Sequence, residues 1–167
     1  MPLETIRLYK CPQFLSMKQG IVDDLKKARK ELLSVTEGLT GDLRITKKWS
    51  LKDVLSHIIG WDYHTVRAIE ECLQGKRPFY FDLNWDVLNE EEVQKRRKLS
   101  FNDVLKELEQ SHEVLLDLVS NLPEDRLTEY HGHRWKRYKI TPQSMLQAAI
   151  DHDFFHVQKI QEAANQQ

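Results

Sequence analysis

Between Met17 and Glu37 apolar residues recur at Ile21, Leu25, Ala28, Leu32 and Val35, spaced alternately by four and three. That spacing draws one apolar stripe along a helix, and the stripe needs a partner to cover it. The pattern recurs three times. Leu51, Val54, Leu55, Ile58, Ile59, Trp61, Ile69 and Leu73 form a second stripe behind a Ser50 N-cap, with acidic Asp53 three residues on. Phe101, Val104, Leu105, Leu108, Leu115, Leu118 and Val119 form a third behind the cap pattern Ser100 to Asp103. Thr141-Pro142 gives a cap and a first-turn proline to a fourth helix over about 142–163. Gly38, Gln74-Gly75 and Leu122-Pro123 are the stops of the first three. With no convincing strand pattern, four long helices predict an all-α four-helix bundle.

The connections between the second and third helices and between the third and fourth are unusually long for a bundle. The first, Gly75 to Leu99, holds Pro78, the run Phe79-Tyr80-Phe81, Trp85 and a short helix expected from Asn89 to Lys98, acidic at its start and basic at its end. It is long enough to run the length of the bundle and let the third long helix lie parallel to the second. The second connection, Glu124 to Ile140, contains His131, His133, Arg134, Trp135, Lys136 and Arg137 and is expected on the surface. Residues 1–16 have no strong period; Phe14 and Leu15 are expected to pack on the first helix.

Composition bounds the function. A chain of 167 residues is expected to form one domain, 1–167. Net charge is −1 and the isoelectric point about 6.7, so no nucleic-acid partner is expected. No apolar run approaches the roughly 20 residues of a membrane span. Cys11 and Cys72 are far apart with no Cys-x-x-Cys, and Met1-Pro-Leu-Glu-Thr has no signal-peptide pattern, so a cytoplasmic protein is expected. A Gly-rich phosphate loop, a Gly-x-Ser-x-Gly elbow and a cysteine beside a histidine motif are all missing, which leaves no side-chain nucleophile in view.

The chemistry is concentrated in Asp151-His152-Asp153-Phe154-Phe155-His156. Histidines four apart on a helix lie one above the other, so both imidazoles reach one ion. Helical phase puts Met145, Ala148, Ala149, Phe155, Ile160 and Ala163 on one stripe, with His152 and His156 in its middle. The structural alternative is a pair of core histidines bonded to neighbours. His57 is the natural third ligand: it lies about seven residues into the second helix, His156 about seven from the end of the fourth, and antiparallel helices bring them level. Three imidazoles leave coordination positions open for water or substrate. They suit zinc, nickel, copper or iron, with zinc expected first and nickel second.

Trp49-Ser50 through His57-Ile58 resembles the Trp-Ser-(six residues)-His-Ile opening of the second helix in the DinB-like (YfiT-like) superfamily. His152-Asp153-x-x-His156-x-x-Gln158-x-Ile160 resembles its closing motif. The resemblance spans almost the whole chain. It implies an up-down-down-up bundle with long crossovers, often a homodimer, with His57, His152 and His156 as a metal triad usually holding zinc or nickel. Known members include S-transferases that use a low-molecular-weight thiol. The segment from Asn89 to Leu127 is similar to the ClbS-like branch, which includes a cyclopropane hydrolase and in which metal use is not general.

Two polar residues fall on apolar stripes, Asp62 on the second helix and His112 on the third. They are expected either to orient a ligand imidazole or to bond to each other. His64, two turns after His57, and Trp61 either line the mouth of the site or serve solvent contact and packing. Three readings result. One is a metal-dependent enzyme, a thiol S-transferase or hydrolase, that acts on a small electrophilic substrate. Another is a metal-independent binding or self-protection protein of ClbS-like type. The last is a non-catalytic dimeric module.

Overall fold

The computed structural model describes residues 16–166; Phe14, Leu15 and Cys11 lie outside the described residues. Four long helices dominate: α1 (Met17–Thr36), α2 (Leu51–Leu73), α4 (Phe101–Asn121) and α5 (Pro142–Ala164), with a shorter α3 (Trp85–Lys95) between α2 and α4. The cap signals at Ser50, Ser100 and Thr141 are used as read, and Ser16 adds a fourth. Ser16, Ser50, Ser100 and Thr141 each accept a backbone N–H three residues on, and Ser50 with Asp53 closes a reciprocal capping box. Gly38 and Gly75 follow α1 and α2 in the left-handed region, at φ 77° and 73°.

The packing fixes the directions of the helices. One apolar cluster joins Ile21, Leu25 and Ala28 to Ala68 and Ile69, Leu115 and Val119, and Met145 and Leu146. The other joins Leu32 to Val54 and Leu55, Val104 and Leu108, and Val157 and Ile160. The start of α1 therefore meets the ends of α2 and α4 and the start of α5. The order is up-down-down-up, with α4 parallel to α2. Lys18 Nζ donates to the carbonyls of Ser120 and Leu122, and Lys52 Nζ to those of Arg97 and Leu99, pinning the two ends of the bundle.

Three sequence expectations change. First, α3 starts at Trp85, because Asn84 Oδ1 accepts the N–H of Asp86 and of Val87. Second, a two-stranded hairpin, β1 (Arg134–Trp135) and β2 (Tyr138–Lys139), occupies the second connection. Its turn residue Lys136 has φ 54°, the backbone that a two-residue hairpin turn uses, without the Asn-Gly sequence that would advertise it. Third, the buried stripe of α5 runs Met145, Leu146, Ile150, Asp153, His156, Val157 and Ile160, whereas Phe155 is 53% exposed and Ala148 exposed. A charged pair buried at Asp153 turns the helix away from the expected phase.

Candidate metal centre

His57 on α2 and His152 and His156 on α5 converge. His57 Nε2 lies 2.9 Å from His152 Nε2, and His156 Nε2 lies 3.0 Å from the same atom. One ligand nitrogen from each ring falls within 4.8 Å of the others. His57 and His156 are buried, and His152 is half-buried at the edge of the cluster. Two ligands about 2.0–2.1 Å from a common ion and roughly 90–110° apart stand about 3 Å from each other, so the two separations made by His152 suit ligands of one ion.

The electrostatics favour neutral rings with free lone pairs. Burial and the neighbouring His152 push His57 down to about 3, against weaker opposing effects of Asn89 and Glu92. Burial and the guanidinium of Arg29 push His152 down to about 4. Burial and the other two rings push His156 down to about 2. Imidazoles that resist a proton at neutral pH are ligands for a metal, which carries the positive charge in the proton's place.

Aromatic rings wall the cluster. Trp49 lies 5.0 Å from His57 between ring centres, and Trp61 lies 6.4 Å from both His57 and His152. Trp61 continues into Tyr80 and Trp85, and Trp85 stacks on Trp135 of the hairpin at 4.9 Å and 16°. Trp61 is held by its Nε1–H, which donates to Asn89 Oδ1 on α3 at 2.8 Å. The first connection therefore forms one wall of the cluster, and neither Asn89 nor Tyr80 had a sequence signal for that place.

Asp62 and His112 do not take their expected positions. Asp62 accepts both Arg29 Nη1–H and Nη2–H at 2.9 Å and the Ser111 hydroxyl at 2.5 Å. Among the described residues it bonds to no ligand imidazole and not to His112. Both ring nitrogens of His112 are buried without a hydrogen-bond partner. Burial, Arg29 and Lys26 push this ring down to about 3. Arg29 Nε–H also donates to Asp153 Oδ2 at 2.9 Å. Burial works against the Arg29 charge, but Asp62 and Asp153 outweigh it and hold the guanidinium protonated. Burial pushes Asp153 up to about 6, with Arg29 opposing and Asp62 reinforcing the rise.

His64 stands beside the aromatic wall rather than in the cluster. Its Nε2 is 3.2 Å from Glu92 Oε1, and its ring meets Trp61 at 5.6 Å and Phe79 at 5.3 Å. Glu92, 3% exposed, also takes Lys95 and Arg96. Burial acts against its charge, but His64, Lys95 and Arg96 keep it well below the usual carboxylate range. No helix among the described residues is long and apolar enough to cross a membrane.

The model of the DinB superfamily matches residues 24–160. No curated protein matches the chain. An uncharacterised protein from Escherichia coli UTI89 is 16% identical, with TM-score 0.71 over 89% of this chain and 93% of its own. The Sibling Lethal Factor precursor DfsB is 16% identical, with TM-score 0.75 over 89% and 95%. The colibactin self-resistance protein ClbS, solved in complex with a double-stranded DNA, is 16% identical, with TM-score 0.71 over 89% and 95%. At these identities the likeness is one of fold.

Proposed function

Because the chain belongs to the DinB superfamily, we propose that His57, His152 and His156 hold one divalent metal ion, zinc first and nickel second, in a metal-dependent thiol S-transferase or hydrolase. The observation that carries this is the convergence of three neutral imidazoles to 2.9 and 3.0 Å about His152 Nε2. A divalent ion held there supplies Lewis acidity, enough to acidify a thiol or a water at neutral pH. The chain's own residues do the rest. His152, half-buried, is the edge of the cluster that a small electrophilic substrate would approach. Trp61, Tyr80 and Trp85 present apolar faces that exclude water and pack against an apolar substrate. Asn89 fixes Trp61, and His64 packs against it with Nε2 3.2 Å from Glu92 Oε1, the imidazole that would accept or return a proton in this reading. The protein acts in this reading as one cytoplasmic domain over 1–167 and as a homodimer, which sedimentation would report as two copies.

Elemental analysis of protein purified without a histidine tag, beside His152→Ala, tests the reading. About one equivalent of zinc or nickel, lost in the variant, supports it. No metal, and no uptake on addition, overturns it.

The aromatic wall favours a second reading, a metal-independent small-molecule binding or self-protection protein of the ClbS-like kind. Tight ligand binding by His57→Ala protein would establish it. The DNA in the ClbS structure also removes the ground for excluding nucleic acid. A net charge of −1 averages the whole surface, whereas Arg134, Lys136, Arg137 and Lys139 are exposed together on one hairpin.

A further inference from the structure

The two apolar clusters of the bundle do not touch the same residues, and a polar layer separates them. On α1 Arg29 follows Ala28 of one cluster and precedes Leu32 of the other. On α2 Asp62 lies between Ile59 and Ala68, on α4 Ser111 between Leu108 and Leu115, and on α5 Asp153 between Ile150 and Val157. All four polar residues are buried, Arg29 at 4% exposure. The guanidinium makes two bonds of 2.9 Å to Asp62, one of 2.9 Å and one of 3.5 Å to Asp153, and one of 2.8 Å to the Leu108 carbonyl. Ser111 completes the layer through Asp62.

One guanidinium therefore touches α2, α4 and α5 at once. Two of those helices carry the three imidazoles. Asp153 is the residue after His152 and three before His156, so both rings project to one side of it, about 100° and 60° around the helix. Asp62 lies five residues after His57. A side-chain tip about 6 Å from a helix axis moves about 1 Å for each 10° of rotation. A cluster spaced at 2.9 and 3.0 Å tolerates about half of that on either helix. Apolar packing above and below is poorly directional, whereas a planar fork fixes both distance and angle.

Stability alone is a weak reason to keep such a layer. Burying two carboxylates and a guanidinium carries a large desolvation cost, and well-packed apolar residues often replace buried ion clusters without loss. Geometry is what apolar replacements fail to supply.

We propose that Arg29 is a positioning residue of the triad: by clamping Asp62 on α2 and Asp153 on α5 it sets the rotation of both helices, and so the separation of His57 from His152 and His156. The proposal rests on the metal-binding reading of the triad for its function, but its geometric content does not need the metal.

Four proteins test it: wild type, Arg29→Lys, the uncharged triple variant Arg29→Met/Asp62→Asn/Asp153→Asn, and Leu115→Ala. Arg29→Lys keeps the charge and loses the fork. The triple variant removes the clamp without stranding a carboxylate. Leu115→Ala damages the apolar core on α4, which carries no ligand. Zinc affinity is measured by chelator competition, coordination by the visible spectrum of the cobalt(II) protein, and stability by urea unfolding. Arg29→Lys and the triple variant are expected to lose 10- to 100-fold in zinc affinity with an altered cobalt spectrum. Leu115→Ala is expected to lose stability with affinity and spectrum unchanged. Wild-type affinity and spectrum in both clamp variants would overturn the proposal, as would equal losses in Leu115→Ala. If the wild type takes up no metal, the proposed function fails and the clamp is read instead from imidazole ¹⁵N shifts of the metal-free protein. A changed pattern in Arg29→Lys then supports the clamp, and an unchanged one overturns it.

Discussion

Gly60 on α2 and Glu92 on α3 approach so closely that a Cβ on Gly60 would lie 2.2 Å from Glu92 Cγ. That approach seats α3, which carries Asn89 and Trp85 to the aromatic wall. Gly60→Ala must push aside a buried carboxylate that holds Arg96 at 2.9 Å. The expected loss is about 2–3 kcal/mol in urea unfolding. Gly20→Ala, on α1 with nothing within 4 Å, is the contrast: about 0.5–1 kcal/mol of gain. Equal stability of Gly60→Ala and wild type would show that α3 is not seated by this contact.

Zinc should stabilise the folded protein by mass action. At a hundredfold excess over its dissociation constant the gain is about 2.7 kcal/mol, read as a rise in melting temperature. His57→Ala and His156→Ala should show no such rise. A rise that survives both substitutions would place the metal elsewhere.

The tryptophans beside His57 offer an optical readout. Trp49 is 5.0 Å and Trp61 6.4 Å from that ring. Nickel or copper(II), being open-shell, should quench a large share of the tryptophan emission, and zinc should not. Trp49→Phe combined with Trp61→Phe should remove most of the quenchable emission, leaving that of Trp85 and Trp135.

Acid should unfold the metal-free protein early, and His112 shows why. Its ring is depressed to about 3 by burial, Arg29 and Lys26, while the unfolded chain binds its proton near 6.5. The buried ring therefore exacts no proton-linked cost above pH 6.5, and stability is lost progressively as the pH falls from 6.5 toward 3. The loss amounts to at most about 5 kcal/mol. His112→Leu should flatten the pH profile in that window. It should also raise stability at pH 7 by about 1–2 kcal/mol, because two buried nitrogens without partners disappear. A variant with an unchanged acid limb would assign the loss to other groups.

The long helices were legible because their caps and stripes are local: Ser50 with Asp53, or Ile21 through Leu32, can be read within one turn or one helix. The meeting of His57 with His152 and His156 was legible from the four-residue spacing of the pair and from the level of His57 once the helices were taken as antiparallel. The polar layer was not. Nothing local marks Asp153 as buried, because its partner Arg29 lies 124 positions away, and without that pair the expected α5 stripe falls on Phe155. Asp62 reads as out of place on its apolar stripe, with a ligand imidazole or His112 as the expected partner, whereas the actual partner is a guanidinium from α1. The hairpin escaped because its turn, Lys136-Arg137, lacks the residues that favour positive φ.

His57 and His152 are 95 positions apart in the chain, and this separation has a consequence in time. At roughly 5–20 residues per second of synthesis, α2 waits about 5–20 s for α5. Through that interval His57 stands alone, and α1, α2 and α4 hold their apolar stripes with one side of the bundle missing. The emergence of α5 covers the stripes, delivers Asp153 to Arg29 and completes the imidazole cluster in a single event. A newborn chain is therefore unable to gather its three imidazoles until the helix that closes its core has been made.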